Sequence, residues 1–160
     1  MTHKTAEDDR LERCAENQAQ GFHAVREAHQ VELAEDYVEL IADLIADTGE
    51  ARPVDIAARM GVTAPSVAKT LDRLARDGLV RRAKYRSVFL TDKGAALAEE
   101  CRARHNIVLR FLIQLGLDLE TAEKDAEGIE HHVSPRTLDL MRAFALRGED
   151  MGEGHAPGGE

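Results

Sequence analysis

The sequence predicts a mainly α-helical protein with one small β-hairpin, in which a winged helix-turn-helix is followed by an all-helical domain. Three observations carry that prediction. Aliphatic residues recur at helical spacing through most of the 160 residues while aromatics make up only 4%, so the core is built from Leu, Ala, Val and Ile, a set that favours helices. A short helix, a glycine-containing turn and a second helix follow one another between Arg52 and Gly78, the helix-turn-helix order. Two brief β-prone runs flank a basic segment between Leu79 and Leu90, the pattern of a hairpin wing.

In chain order, residues 1–20 are polar, mix charge signs and carry no sustained apolar period, which predicts a disordered tail. From Gly21 the pattern firms. Phe22, Val25, Val31, Leu33, Val38, Leu40, Ile41, Leu44 and Ile45 recur at helical spacing and stop at Thr48-Gly49, predicting one helix or two. Pro53 near a helix start, Asp55 in its first turn and Gly61 at its end bound a helix of barely two turns. Thr63 is placed as the N-cap of the next helix and Pro65 in its first turn, with Val67, Leu71 and Leu74 as its apolar stripe. The hairpin completes a first domain, 21–91. A long helix then runs from 91 to about 115, with Leu97, Cys101, His105, Val108, Phe111, Leu112 and Leu115 on its apolar stripe and Gly116 ending it. Residues 120–133 predict another helix, and Ser134-Pro135 starts a last one, to about 147, that turns Leu138, Met141, Phe144 and Ala145 inward. These form a second domain, 92–147. The Gly-, Glu- and Pro-rich residues 148–160 predict a second disordered tail.

A net charge of −9 taken whole argues against nucleic acid. Its distribution argues the other way. Between Arg52 and Lys93 ten Lys and Arg stand against four Asp, a local balance of +6, and the rest of the chain is at −15. DNA affinity draws on local phosphate neutralisation, so a basic module attached to an acidic one fits a protein that faces a duplex with one domain only. Thr63, Ser66, Lys69, Thr70 and Arg73 cluster on the exposed side of the second motif helix, where base edges are read, and Arg81, Arg82, Lys84 and Arg86 line the wing, where phosphates are met.

The acidic domain contains Glu127, Glu130 and His131 at i, i+3 and i+4, which a helix places on one face. Two carboxylates and an imidazole crowded together are either a solvated acidic face or the donor set of a divalent first-row metal. Asp36 and Glu39 are three apart and share a face of the first helix, and His105 lies on the apolar stripe of the long one. Taken singly, these are surface charge and a core histidine. An enzyme reading finds no support, because a di-iron carboxylate centre needs two Glu-x-x-His motifs on separate helices and no HExxH occurs. No apolar run approaches the ~20 residues a bilayer needs, and no signal-peptide pattern opens the chain. Two cysteines, Cys14 and Cys101, make no disulfide framework, so a cytoplasmic location is expected.

Read together, Glu35-Asp-Tyr-Val-Glu-Leu40, the winged helix through Thr91, the Arg104-His105 pair and the stretch from Asp125 to Ser134 resemble the manganese-sensing branch of the diphtheria-toxin-repressor family, over about residues 30–147. The resemblance implies that Asp36, Glu39, His105, Glu127, Glu130 and His131 are metal ligands, with Mn(II) as cofactor and room for two ions per protomer. It also implies a homodimer that represses manganese uptake genes from a palindromic operator in double-stranded DNA. The iron-responsive branch has a methionine and a cysteine where this chain has Asp36 and Glu127. Hard carboxylates in place of soft donors favour Mn(II), which binds weakest in the Irving–Williams order and must be selected by an oxygen-rich site. Two alternatives stay open: an iron-dependent member of the same family, and a winged-helix regulator of an organic ligand, which would need no such donor set.

Overall fold

In the computed structural model, which describes residues 6–82 and 87–152, the chain folds as six α-helices and one two-stranded antiparallel sheet among the described residues. The first helix, α1, spans Ala6–Thr48. It begins far earlier than the expected start near Gly21, so the tail predicted for residues 1–20 is helical from residue 6. Ala, Glu, Arg, Gln and Leu, all good helix formers, dominate that segment, and propensity carries the helix back where no apolar stripe announces it.

The next elements follow their local punctuation. Helix α2, Pro53–Met60, starts on the proline and ends at Gly61, whose φ of 66° is the left-handed conformation that glycine adopts without strain. Helix α3, Ala64–Arg76, is capped by Thr63, whose side chain accepts from the Ser66 amide at 3.4 Å. Strands β1, Val80–Arg82, and β2, Val88–Leu90, pair antiparallel with Val80 opposite Leu90. The wing tip, including Lys84 and Arg86, lies outside the described residues. Val88 also donates to the Ala51 carbonyl at 2.8 Å, so the wing is fastened to the entry of the motif.

Helix α4, Asp92–Gln114, is capped by Thr91, whose hydroxyl also donates to the Gly78 carbonyl at 2.6 Å. Leu115, expected on the apolar stripe, is exposed because the helix has ended by then. Helix α5, Leu119–Ile129, stops four residues before the expected end at Val133. Glu130–His132 form a 3₁₀ turn, the tightening common at a helix C-terminus. Helix α6, Pro135–Gly152, passes Gly148, so residues 148–152, expected to belong to a disordered tail, are helical; residues 153–160 of that expectation lie outside the described residues.

Two apolar clusters result. One joins Tyr37, Val38, Ile41 and Leu44 of α1 to Ile56, Val67, Leu71, Leu74, Leu79, Val80 and Val88, and reaches α4 at Ala98. The other gathers Val108 and Leu112 of α4 with Ala122 and Ala126 of α5 and partly buried Leu138 and Met141 of α6. Phe111 meets Phe144 edge to face at 5.4 Å between centroids. Helix α4 therefore belongs to both clusters, and between them the polar face of α1 meets the end of α5.

Candidate metal centre

The space between the clusters is an open cleft of about 750 Å³. Its wall carries all six residues singled out as ligands: Asp36 and Glu39 from α1, His105 from α4, Glu127 from the last turn of α5, and Glu130 and His131 from the 3₁₀ turn. Glu32, Asp43, Arg59, Met60 and Arg102 line it as well. The expectation that Glu127, Glu130 and His131 share one α-helical face needs correction, because the turn rotates the last two inward. Glu127 is 72% exposed at its side chain, whereas Glu130 and His131 are 2% and 4% exposed.

The buried donors face one another. His105 Nδ1 lies 2.5 Å from Glu130 Oε2 and 3.9 Å from Glu127 Oε1. His131 Nε2 lies 3.3 Å from Asp36 Oδ1 and 3.6 Å from Glu130 Oε1. The other nitrogen of that ring, Nδ1, is 2.7 Å from Glu35 Oε2, and the same oxygen accepts from Arg104 Nη2 at 2.7 Å. Burial, and then the neighbouring Glu130 and Glu127 charges, push the Glu39 carboxyl up to about 7. Burial likewise raises Asp36 and Glu130, against the pull of the histidines. Burial opposes charge on His131, yet its bond to Glu35 and the nearby Asp36 and Glu130 carboxylates raise its pKa. Carboxyls held above their ordinary range, first by burial and then by one another's charge, have an unmet demand for positive charge.

That demand, with four carboxylates and two imidazoles as the donors, fits a hard divalent cation. Among the described residues no three of these groups already surround a single point. The imidazoles instead pair with carboxylates, so closing a coordination sphere takes side-chain rotation within the cleft. At its mouth two cationic side chains are engaged by acids: Arg102 with Asp43 at 2.9 Å and Arg59 with Asp47 at 3.1 Å. The Cys101 thiol, one turn before His105, is fully buried and pushed up to about 12, chiefly by burial, and it does not line the cleft.

Residue reasoning missed Glu35, Asp43, Arg59 and Arg102. The acidic run from Glu35 to Glu39 carried a signal for the first of these; their partners, remote in sequence, did not.

On the basic module, the N-cap Thr63 and Ser66 and Lys69 of α3 are exposed, and Thr70 and Arg73 are half-buried at the flank of the stripe of buried Val67, Leu71 and Leu74. Arg73 donates to the Gln30 carbonyl at 3.3 Å. Arg81 and Arg82 are both exposed on β1, and Arg82 pairs with Asp72 of α3 at 2.6 Å.

Comparison with known proteins extends this geometry. The "Iron dependent repressor, N-terminal DNA binding domain" matches residues 29–88, and the "Iron dependent repressor, metal binding and dimerisation domain" matches residues 91–149. The chain is similar to the transcriptional regulator MntR of Escherichia coli O157:H7, with 57% identity over 132 residues, 82% of this chain and 85% of that protein. The HTH-type transcriptional regulator MntR of Bacillus subtilis (strain 168) is 40% identical over 107 residues, 67% of this chain and 75% of that one. Among solved structures, the manganese regulator SloR superposes with a TM-score of 0.62 at 29% identity, over 71% of this chain and 53% of that one. A manganese-dependent transcriptional repressor in complex with manganese gives 0.62 at 30% identity, over 71% and 52%. The chain thus spans about half the length of these solved structures. With both family domains matched in order, one on each side of the cleft, the chain belongs to the iron-dependent repressor family, the diphtheria-toxin-repressor family that its sequence resembles.

Proposed function

We propose that this chain is a manganese-responsive repressor of manganese uptake genes, acting in the cytoplasm as a homodimer on a palindromic operator. On this reading Mn(II), two ions per protomer, is held by Asp36, Glu39, His105, Glu127, Glu130 and His131. The observation that carries it is the placement of these six side chains. Two stand on a helix of the DNA-binding domain and four on the metal-binding and dimerisation domain, on one cleft wall. The donor set supports manganese over softer metals, since it offers no thiolate or thioether within the six. The relatives are regulators, and the chain is a DNA-binding regulator and not an enzyme. Among the described residues no helix is long and apolar enough to cross a membrane.

The chemistry a bound cation supplies is neutralisation of carboxylates that otherwise raise each other's pKa. The residues do the rest. Asp36 and Glu39 bring α1 toward the cleft, and His105, Glu130 and His131 present donors from α4 and the 3₁₀ turn, so binding draws the two domains into one spacing. That spacing sets the separation of two recognition helices in a dimer against half-sites one helical turn or a multiple apart. Thr63, Ser66, Lys69, Thr70 and Arg73 read the groove, and Arg81, Arg82, Lys84 and Arg86 hold phosphates.

The test selects duplex fragments from a random pool with Mn(II)-loaded protein, then titrates the winner without metal and with Mn(II), Fe(II) or Zn(II). Tight binding with Mn(II) alone supports the reading. Equal binding by the metal-free protein refutes it, and a preference for Fe(II) hands it to the iron-dependent alternative.

A further inference from the structure

The carboxylate of Glu35 is buried, faces away from the cleft, and is shared by two partners from the other domain. Its Oε2 lies 2.7 Å from His131 Nδ1 and 2.7 Å from Arg104 Nη2. A carboxylate of this type has no donor hydrogen of its own. The short contact to the ring therefore requires a proton on Nδ1, and in the neutral ring this leaves the Nε2 lone pair facing Asp36 Oδ1 and Glu130 Oε1, the inner wall of the cleft. Arg104 holds Glu35 in that position. The same Nη2 also donates to the Sγ of the buried Cys101 at 3.3 Å.

We propose that Glu35, anchored by Arg104, is a positioning residue that fixes the tautomer and orientation of His131, so that Nε2 is presented to the metal. The inference rests on the reading of the cleft as a metal centre. A histidine that donates from one nitrogen to a carboxylate and binds metal with the other is a stronger and better aimed ligand, and removing such a carboxylate typically weakens metal binding about 10–100-fold. What is particular here is where the carboxylate comes from. Glu35 lies within residues 29–88, matched as the DNA-binding domain, whereas Arg104 and His131 lie within residues 91–149, matched as the metal-binding and dimerisation domain. The aim of a ligand in one domain is thus set by a helix of the other. Any event that seats α1 against α4, DNA binding included, also aims His131, and this couples operator to metal through an imidazole tautomer.

The test uses the full-length dimer and four proteins: wild type, Glu35→Met, which keeps the bulk without an acceptor, Glu35→Gln, whose amide oxygen restores one, and His131→Ala. Long-range ¹⁵N–¹H correlation spectra of the metal-free proteins, taken at a pH where the ring is neutral, report which nitrogen of His131 carries the proton. Mn(II) affinity is read from the spin-resonance signal of the free ion. The expected result is the Nδ1–H tautomer in the wild type and in Glu35→Gln. Glu35→Met should lose that preference and about 10-fold or more in Mn(II) affinity, with Glu35→Gln recovering most of the loss and all variants remaining dimeric. Wild-type affinity in a folded Glu35→Met dimer overturns the proposal while the metal-centre reading stands, provided His131→Ala loses Mn(II). Wild-type affinity in His131→Ala overturns both. An Nε2–H tautomer in the wild type overturns the proposal without recourse to any variant, so it remains decidable if Glu35→Met does not fold.

Discussion

A Cβ placed on Gly94 would overlap the carbonyl oxygen of Leu79 and stand 3.0 Å from its carbonyl carbon. The first turn of α4 is thus pressed onto the backbone at the foot of the wing, where only a glycine fits. Gly94→Ala should cost about 2 kcal/mol or more, since the obstacle is backbone and cannot swing aside. Gly128→Ala in α5, where an added Cβ meets open space, should stabilise by roughly 0.5–1 kcal/mol. Urea melts of the two variants check the contrast, and equal effects would remove the steric account.

Stability should depend on pH in a direction set by the cleft. Glu39, raised from 4.5 to about 7, holds more protons folded than unfolded between those values, so its contribution to stability falls as pH climbs through that interval. Asp36 and Glu130, also raised, act in the same sense. His131 is raised from 6.5, so what it contributes is fully present below that value and is lost as pH rises through its higher folded pKa. The signs agree. The metal-free melting temperature should fall from about pH 5 to pH 8, and stabilisation by Mn(II) should grow over the same range because binding requires those protons to leave. Thermal scans with and without Mn(II) decide it, and a metal-free melting temperature that rises would refute the assignment.

Asp36→Met puts a thioether where a hard carboxylate faces His131. The metal response should shift toward Fe(II) or Co(II) with dimerisation intact, because donor softness changes while the second apolar cluster is untouched. Metal-dependent DNA binding measured across the divalent series is the check. An unchanged ranking would remove Asp36 from the ligand set.

Arg82→Ala combined with Lys84→Ala should lower DNA affinity nearly uniformly across sequences and flatten the salt dependence by about two units of slope. Arg82 already pairs with exposed Asp72, so a phosphate contact must compete with that bond. Binding isotherms at several salt concentrations report the slope, and no change would take the wing off the contact surface.

How much of this was legible in the sequence depends on the range of the interaction. Thr63, Thr91, Gly61 and Pro53 act on neighbours within a few residues, and the helix limits they imply agree closely with the structure. The start of α1 was misjudged because apolar period was required where propensity alone sustains a helix. The 3₁₀ turn at Glu130 was invisible for a different reason. One tightened turn changes which of three residues is buried without changing their spacing in the chain. Glu35 looked like its acidic neighbours because its meaning comes from His131, 96 residues away.

Helix α4 is shared by both apolar clusters, touching one at Ala98 and the other at Val108 and Leu112, with His105 between. A single unbroken helix behaves as a stiff rod. From His105 back to Thr91 it measures roughly 21 Å at 1.5 Å per residue. A tilt of about 5° at the level of the histidine thus carries the foot of the wing through roughly 2 Å over that arm. The cleft acts near a fulcrum and the DNA surface at the end of a lever, so displacements too small to disturb either core are magnified into misfit with the groove.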